Sequence, residues 1–421
     1  MRVAILGVGT VGEQVAKILI QNAELISARS GKNITPVVGV VRNLNKKRDV
    51  NFELTDDINS VISRDDIDVF VELMGGVDEP YKIVSEILKR KKAVVTANKA
   101  LLAYYRYELA NMAGETPFGF EASVAGGIPI IKTLREGLSA NDIQSIKGII
   151  NGTCNYILTS MMRDGANFSD VLKKAQDLGY AEADPTFDVG GFDAAHKLLI
   201  LASLAYGINA RPEDILIEGI ERINDADIYF ANDFGYTIKL LAIAKKTANG
   251  VELRVHPTLV PKDHMIAKVD GVMNAVSIVG NAVGETMYYG AGAGGAATAS
   301  AVISDIIDIA RGISSPMLGY KTQNAVSELK LLDKDEILTH YYIRLKVEDR
   351  LGVLACITNL MSQNSISIDS FLQTPNFDDG DMTTLFFTTH TSREADVKHV
   401  LALLRDQEFI KDEPFMMRIE Q

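Results

Sequence analysis

Tryptophan is absent from the 421 residues, and cysteine occurs only at Cys154 and Cys356, far apart and in no CxxC pattern. Two isolated cysteines build neither a disulfide scaffold nor a thiolate zinc site, and they point to a reducing compartment. The six histidines lack the spacing of a metal-binding helix. No run of eighteen uninterrupted apolar residues occurs, so no membrane-spanning helix is expected. Basic tracts are scarce: Lys46-Lys47-Arg48 and Lys89-Arg90-Lys91-Lys92 are the densest, and both are short. With a formal charge of -12, nucleic acid and anionic membranes are disfavoured as partners, because phosphate repels an acidic surface. Met1 to Leu6 enters a strand pattern without a leader pattern, and the expectation is a soluble, cytoplasmic protein.

What is present is a chain long enough for two or three domains and a sizeable core, with 47% hydrophobic and 23% charged residues. Val3 to Leu6 reads as a buried strand, Gly7-Val8-Gly9-Thr10-Val11-Gly12 follows at once, and Val11, Val15, Ile18 and Leu19 recur at helical spacing. In such a strand, turn and helix, Gly7 allows the tight turn, Gly9 a close approach of backbone to pyrophosphate, and Gly12 the packing of helix on strand. The pattern is that of dinucleotide binding, the alternative being a similar domain that has lost its ligand. A second strand, Val37 to Val41, ends in Arg42 and not in the acidic residue that binds a ribose 2′-hydroxyl. Arg42, with Lys46 or Lys47, suits a 2′-phosphate and favours NADP(H) over NAD(H). Strands are also expected at Val69 to Met74 and Ala93 to Lys99. Ligands of open parallel sheets sit beyond the carboxyl ends of strands, so Met74, Gly75, Thr96 and Lys99 are candidates to line the cofactor site. Phe118 to Ile130 reads as a strand passing into a turn of small residues, where exposed carbonyls and the Glu121 carboxylate could hold a monovalent cation.

Beyond that turn the pattern changes. Ile146 to Ile150 reads as a strand, Asn151 to Asn155 as a turn, and Tyr156 to Met162 as a helix. The Asn and Thr side chains of the turn suit either a small polar or anionic ligand or an ordinary helix cap. The stretch Gly179 to Lys197 sets Glu182, Asp184, Asp188, Asp193 and Lys197 ahead of the apolar run Leu198 to Tyr206. A helix starting near Phe192 puts Asp193 and Lys197 on one face, and Gly190 and Gly191 let the preceding loop turn sharply. Charges beside an enclosed helix are costly unless partnered or used, which makes this stretch the main candidate for chemistry. Asp184 reads as a cap on the turn before Pro185. Further strands are expected at Val251 to Val260 and Ala275 to Val279, and Tyr288 to Gly295 reads as a glycine loop at the start of a helix that returns to the nucleotide. Tyr320 to Leu338 reads as a connector. After it, strands at His340 to Val347, Ile366 to Leu372, Thr383 to Thr389 and Phe415 to Ile419 alternate with helices at Gly352 to Met361 and Val397 to Leu404. This βαββαβ order has no catalytic cluster, so it reads as a regulatory or assembly unit of its own.

Together, Gly7 to Gly12, Thr96-Ala97-Asn98-Lys99, Asn151 to Tyr156, Gly179 to Lys197, and Gly290 to Gly295 with its helix resemble homoserine dehydrogenase with a C-terminal ACT domain, over essentially the whole chain. The resemblance implies an α/β fold. A Rossmann-type nucleotide-binding domain would span 1–130, and an α+β substrate and dimerisation domain 131–320, its last helix returning to the first domain. A linker at 321–338 would lead to a βαββαβ ACT regulatory domain at 339–421. The implied reaction is reversible reduction of L-aspartate 4-semialdehyde to L-homoserine by NADPH or NADH, in threonine, methionine and isoleucine biosynthesis. On matching positions the resemblance makes Lys197 the proton donor, with Lys99 also flanking the reacting carbonyl, and places Glu182, Asp188, Asp193 and Thr153 in the substrate pocket. It adds Thr10, Val11, Lys99 and Gly294 to Gly7, Gly9, Gly12, Arg42 and Thr96 as cofactor contacts. Glu121 with the carbonyls of Val124, Gly126 and Ile128 matches the family's monovalent cation site, for which Na+ is expected. A homo-oligomer, dimer or tetramer, is implied, with threonine as effector of the ACT domain. Cys154 stands where many members carry Thr, and Leu351 replaces a proline often found before the ACT glycine, which bears on feedback by threonine. The competing readings are another amino-acid dehydrogenase on the same scaffold and a non-catalytic sensor of nucleotide and amino acid, which would have no need of Lys197.

Overall fold

Val3, Ala4, Ile5 and Leu6 are fully buried in strand β1 (Arg2–Leu6), as an apolar run without alternation requires of a strand covered on both faces. The structure, a computed structural model, describes residues 1–321, 329–374 and 380–420. Of the expected connector, residues 322–328 lie outside the described residues. The chain forms two compact units. One comprises Met1–Ile150, Ala195–Glu213 and Met273–Lys330, the other Asn151–Ala194, Asp214–Val272 and Leu331–Gln421.

In the first unit β1 is joined by β2 (Thr35–Val40), β3 (Glu53–Thr55), β4 (Val69–Glu72), β5 (Ala93–Thr96) and β6 (Phe118–Gly119). They make a parallel sheet of order β3-β2-β1-β4-β5-β6. The order reverses at β1, which is the switch point where such sheets bind nucleotides. Helix α1 (Thr10–Gln21) leaves the glycine turn after β1, and α2 (Lys99–Ala113) leaves β5. Val15 and Leu19 of α1 pack in one core with Val3, Ile5, Val69 and Val71, together with Val302 and Ile306 of a helix at Gly295–Arg311. That late helix therefore shares the core of the nucleotide fold. The unit also contains β7 (Ile143–Ile149), which pairs antiparallel with β11 (Met273–Gly280), itself paired with β12 (Gly284–Ala291).

The second unit opens with α3 (Gly152–Asp164) and contains α4 (Thr186–Val189) and the first residues of α5 (Phe192–Tyr206). Helix α3 begins at Gly152, so the expected turn at Asn151 to Asn155 is its cap and first turn. Strand β8 (Leu216–Ile217) precedes α6 (Asp225–Asp233) and the long hairpin of β9 (Tyr236–Thr247) and β10 (Gly250–Pro261). With the late helix of the first unit named α7, the C-terminal segment supplies β13 (Leu338–Glu348), α8 (Val353–Gln363), β14 (Ile368–Thr374), β15 (Met382–Thr389), the short β16 (Ser392–Arg393), α9 (Glu394–Arg405) and β17 (Phe415–Ile419). Its βαββαβ order is the expected one, in a sheet of order β17-β13-β15-β14.

This segment does not stand apart from the rest of its unit. Strand β17 pairs in parallel with β10 at Thr258↔Arg418 and Leu259↔Ile419, so the hairpin sheet runs on into the C-terminal sheet. Alternation along β13 explains why both faces are covered. Tyr341, Ile343, Leu345 and Val347 join the core with Val353, Ile357, Val397 and Val400 of α8 and α9. Tyr342 and Arg344, on the opposite face, meet α6: the Tyr342 ring centroid lies 4.7 Å from that of Phe230, and Asp227 accepts from Tyr342 Oη at 2.7 Å and Arg344 Nε at 2.9 Å. At the seam, fully buried Arg418 of β17 donates through Nη1 and Nη2 to Glu218 at 2.5 and 2.8 Å, and through Nε at 3.0 Å and Nη2 to Glu394. Burial opposes its charge, yet the two carboxylates outweigh that and raise its pKa. Replacing the guanidinium would take from Glu394, itself fully buried, the group that donates to both its oxygens, leaving it Lys398 at 3.5 Å. Arg418→Met is expected to lower unfolding stability in urea by about 3–5 kcal/mol. A loss below about 1 kcal/mol would show that the buried pair adds nothing net.

Candidate active site

The glycines of the first unit divide by what surrounds them. A Cβ at Gly7, where φ is +108°, would lie 2.6 Å from the Leu73 carbonyl oxygen, and one at Gly12 would lie 2.3 Å from that of Gly7. A Cβ at Gly9, Gly75, Gly76 or Gly294 meets nothing within 4 Å. The first pair is required by packing, whereas the other four leave room for a side chain; of these Gly9 caps the N-terminus of α1, where backbone N–H groups favour an anion. The chain at Gly295 touches Thr10 and Gln14, where an added Cβ would stand 3.2 Å from Thr10 Cγ2. The structure thus gathers Gly9, Thr10, Val11 and Gly294 in one cradle, whose shape and open backbone fit a dinucleotide pyrophosphate. Arg42 follows β2 with its side chain 86% exposed and 3.8 Å from Glu79. Arg48, named above only as part of a short basic tract, donates to the Val8 carbonyl at 2.7 Å and ties its loop to the glycine turn.

Around the end of β5 the side chains interlock. Buried Glu72 accepts from Thr96 Oγ1 at 2.6 Å and from the Met74 N–H at 2.8 Å, and burial raises its pKa. Asn98 caps α2 by accepting from the Leu101 N–H and donates to the Gly76 carbonyl at 2.9 Å. Thr96 is fully buried, its hydroxyl directed to Glu72, and Lys99 is the first residue of α2 and not the last of a strand. Lys197, on α5, is half-buried and donates to the Ile150 carbonyl at 2.7 Å. Arg106, buried on α2, reaches Ser203 Oγ on α5 at 2.5 Å and the Ala210 carbonyl at 2.5 Å, with burial lowering its pKa to about 10. It fastens the helix that begins with Lys99 to the one that carries Lys197.

Glu121 is also buried, and its two carboxylate oxygens accept the N–H groups of Ile131 at 2.8 Å and Lys132 at 2.9 Å. Burial, then the charge of Asp305, raises its pKa to about 7. A carboxylate in that environment favours a nearby cation such as Lys132, and of the loop carbonyls that follow, that of Ile128 accepts from the Ile130 N–H at 2.8 Å. Hard oxygen donors of this kind suit a monovalent cation. Among the described residues no group of three or more His, Cys, Asp or Glu side chains is placed to hold a metal ion.

In the second unit the acidic candidates meet on one amide. Asn151 caps α3, its Oδ1 accepting from the Cys154 N–H at 2.8 Å, while its Nδ2 donates to Asp188 Oδ1 at 2.8 Å and Asp193 Oδ2 at 2.9 Å. Asp193 is buried and Asp188 half-buried. Cys154 Sγ reaches the Asp188 carbonyl at 3.2 Å, and Thr153 Oγ1 donates to the Tyr180 carbonyl at 2.6 Å. Gly191, at φ +86°, is hemmed in by Ile217, Glu218 and Val255, so no side chain fits where the chain turns into α5. Glu182 is exposed, while Asp184 caps the turn at Thr186 as expected. Lys239, missed by the sequence reading, is buried and donates to the Val269 carbonyl at 2.6 Å and to Asp270 at 3.1 Å. A lysine inside the apolar run of β9 was the available signal.

A sheet of this order with an open glycine cradle, lysines on the helices that follow, and an appended βαββαβ unit define a nicotinamide-nucleotide dehydrogenase with an ACT domain. Family comparison gives the class its particular member. The model of "Homoserine dehydrogenase, NAD binding domain" matches residues 7–120, that of "Homoserine dehydrogenase" residues 129–307, and that of the "ACT domain" residues 341–409. The chain is 53% identical over 420 residues to the homoserine dehydrogenase of Helicobacter pylori, covering 100% of this chain and 99% of that protein. It is 44% identical over 430 residues to that of Pseudomonas aeruginosa, covering 100% and 99%. A solved homoserine dehydrogenase from Thiobacillus denitrificans matches with a TM-score of 0.94 at 43% identity, covering 100% of this chain and 98% of that one. The chain belongs to the homoserine dehydrogenase family. It is an NAD(P)-dependent oxidoreductase acting on a CH–OH group, interconverting L-homoserine and L-aspartate 4-semialdehyde. No helix among the described residues is long and apolar enough to cross a membrane.

Because Asn151 both caps α3 and holds two carboxylates, Asn151→Ala is expected to act twice. Loss of the cap costs about 1 kcal/mol in denaturant titration, and loss of the shared donor raises KM for homoserine while KM for the nucleotide stays within about twofold. An unchanged KM for homoserine would separate the amide from substrate binding.

Proposed function

We propose that Lys197 is the proton donor of this reaction, with Lys99 as the second cation at the reacting carbonyl. The observation that carries the reading is the pair of neighbouring residues at the end of β7. The Ile150 carbonyl accepts from Lys197 Nζ, and the Asn151 amide holds Asp188 and Asp193. The bound nicotinamide supplies the hydride. As charge develops on the aldehyde oxygen, Lys197 stabilises it and transfers a proton from Nζ, and Lys99 adds a second positive charge. Asp188 and Asp193, with Glu182 and Thr153, bind the substrate and orient its α-ammonium. In the reverse direction the same Nζ takes the hydroxyl proton of homoserine.

The cofactor groups follow the cradle. Gly9, Thr10, Val11 and Gly294 would hold the pyrophosphate, Gly7 and Gly12 allow the tight turn and close helix behind it, Thr96 shapes the end of β5, and Lys99 would lie on the nicotinamide side. Arg42, exposed at the end of β2, pairs with a 2′-phosphate, so NADPH is preferred and NADH tolerated. Glu121 with the carbonyls of Val124, Gly126 and Ile128 holds Na+. Residues 1–130 carry the nucleotide and 131–320 the substrate and the subunit contact of a dimer or tetramer. The linker at 321–338 joins them to the ACT domain at 339–421, which takes an amino-acid effector, threonine, and the enzyme works in the cytoplasm.

Lys197→Ala is expected to reduce kcat by about 10²–10⁴, with NADPH affinity by fluorescence titration nearly unchanged. Turnover like that of the unmodified enzyme would refute the assignment. A parallel loss of NADPH binding would point to folding instead. Arg42→Ala is expected to weaken NADPH by roughly tenfold and NADH little, since only the former offers the phosphate. Equal effects on both would remove the 2′-phosphate contact.

A further inference from the structure

Glu72 is the last residue of β4, and its side chain is fully buried. A carboxylate is costly in such a place, and the two groups that donate to it, Thr96 Oγ1 at 2.6 Å and the Met74 N–H at 2.8 Å, are both neutral. Stability alone does not account for it, because an apolar residue of similar volume serves a sheet core at least as well. Both partners are committed to donating. A backbone N–H has no other role, and the Thr96 hydroxyl, which itself accepts the Asn98 N–H at 3.0 Å, directs its one proton to Glu72. Asn98 closes the circuit: its Nδ2 donates to the Gly76 carbonyl at 2.9 Å, and its Oδ1 accepts the Leu101 N–H at the start of α2.

One carboxylate therefore joins two loops, 73–76 after β4 and 96–99 after β5. Both lie beyond the carboxyl ends of neighbouring strands, where ligands of such sheets bind. Gly75 and Gly76 have φ of +75° and +82°, and a Cβ at either meets nothing within 4 Å, so close packing does not hold them. Leu73, at the near end of the same loop, has its carbonyl oxygen 2.6 Å from where a Cβ of Gly7 would stand. Lys99 follows Asn98 directly.

We propose that Glu72 is a positioning residue for the reaction: through Thr96 and Asn98 it fixes the backbone that carries Lys99, together with the Gly75 and Gly76 backbone at the edge of the nucleotide site. An ammonium that stabilises a developing oxyanion loses effect steeply when misplaced. Loosening the ring of hydrogen bonds thus lowers kcat and spares the binding of homoserine, assigned above to Asp188 and Asp193. The effect on turnover rests on the role proposed above for Lys99, and the tie between the two loops does not.

Glu72→Gln and Thr96→Val test the two parts separately. Glutamine presents a donor where the ring needs a second acceptor, and valine keeps the shape of threonine without its hydroxyl. In the nucleotide-free protein, amide hydrogen exchange at residues 73–76 and 96–101 should quicken at least about tenfold in both variants, while the rest of the first unit exchanges as before. The urea midpoint of Glu72→Gln should hold or rise, because a buried charge is removed. Each variant should lower kcat at least about tenfold, the equivalent of one charged hydrogen bond, with KM for homoserine within about twofold. Thr96→Ser, which keeps the hydroxyl, should lose less than Thr96→Val. In a Lys99→Ala background Glu72→Gln should add no further loss. Unchanged kcat in Glu72→Gln, or a full further loss in the Lys99→Ala background, overturns the proposal. Faster exchange throughout the first unit with a lower urea midpoint overturns it too, by reducing Glu72 to a support of the fold. If Glu72→Gln fails to fold, Thr96→Val and Thr96→Ser carry the test. If Lys99→Ala alone keeps the turnover of the unmodified enzyme, the role of Lys99 has failed, and the tie between the loops stands on the exchange rates.

Discussion

The carboxamide of Asn151 is the one group on which the acidic cluster depends. It caps α3 through its oxygen and holds Asp188 and Asp193 through its nitrogen, so the starts of three helices are indexed to a single planar group. The planar amide holds one oxygen of each carboxylate within 2.9 Å of a single nitrogen, so the spacing of Asp188 and Asp193 is set by the fold.

Fixed spacing also governs the lysines. An ammonium that must approach a reacting oxygen closely gains from helices that do not shift against each other. Arg106 supplies that rigidity between α2 and α5. It does so with neutral acceptors, Ser203 Oγ and backbone carbonyls, although its own burial lowers its pKa to about 10. A carboxylate partner there would have placed a negative charge in the helix pair that carries Lys197. The two helix bodies are thus joined by one guanidinium held on neutral acceptors.

How far the sequence could be read follows from the range of each interaction. The strand, glycine turn and α1 were legible because each glycine answers a local backbone requirement, and the structure adds which are crowded and which open. The charges from Gly179 to Lys197 were legible because five of them adjoin a helix with almost no polar face. The start of α3 was misread because Asn and Thr serve turns and caps alike, and only the Cys154 N–H bond to Asn151 decides between them. Glu72 was missed because its partner Thr96 is set by the parallel register of β4 and β5, which no local pattern encodes. Lys239 left a trace in β9, but a lone lysine in an apolar strand does not say what it binds.

The attachment of the ACT sheet was the least legible feature, since Arg418 and Glu218 lie 200 residues apart. Its physical logic is nonetheless simple. A parallel register of two residues between β10 and β17 is a weak seam by itself. Burying Arg418 between Glu218 and Glu394 makes that seam directional, because a charge triad tolerates little sliding where greasy contacts would tolerate more. On the other face of β13, Tyr342 and Arg344 repeat the device on Asp227 of α6. The ACT sheet is therefore held to its unit by two polar locks on opposite faces. Sliding of β17 along β10 would have to break the bonds of Arg418 to Glu218 and to Glu394 together, which is why so short a register suffices.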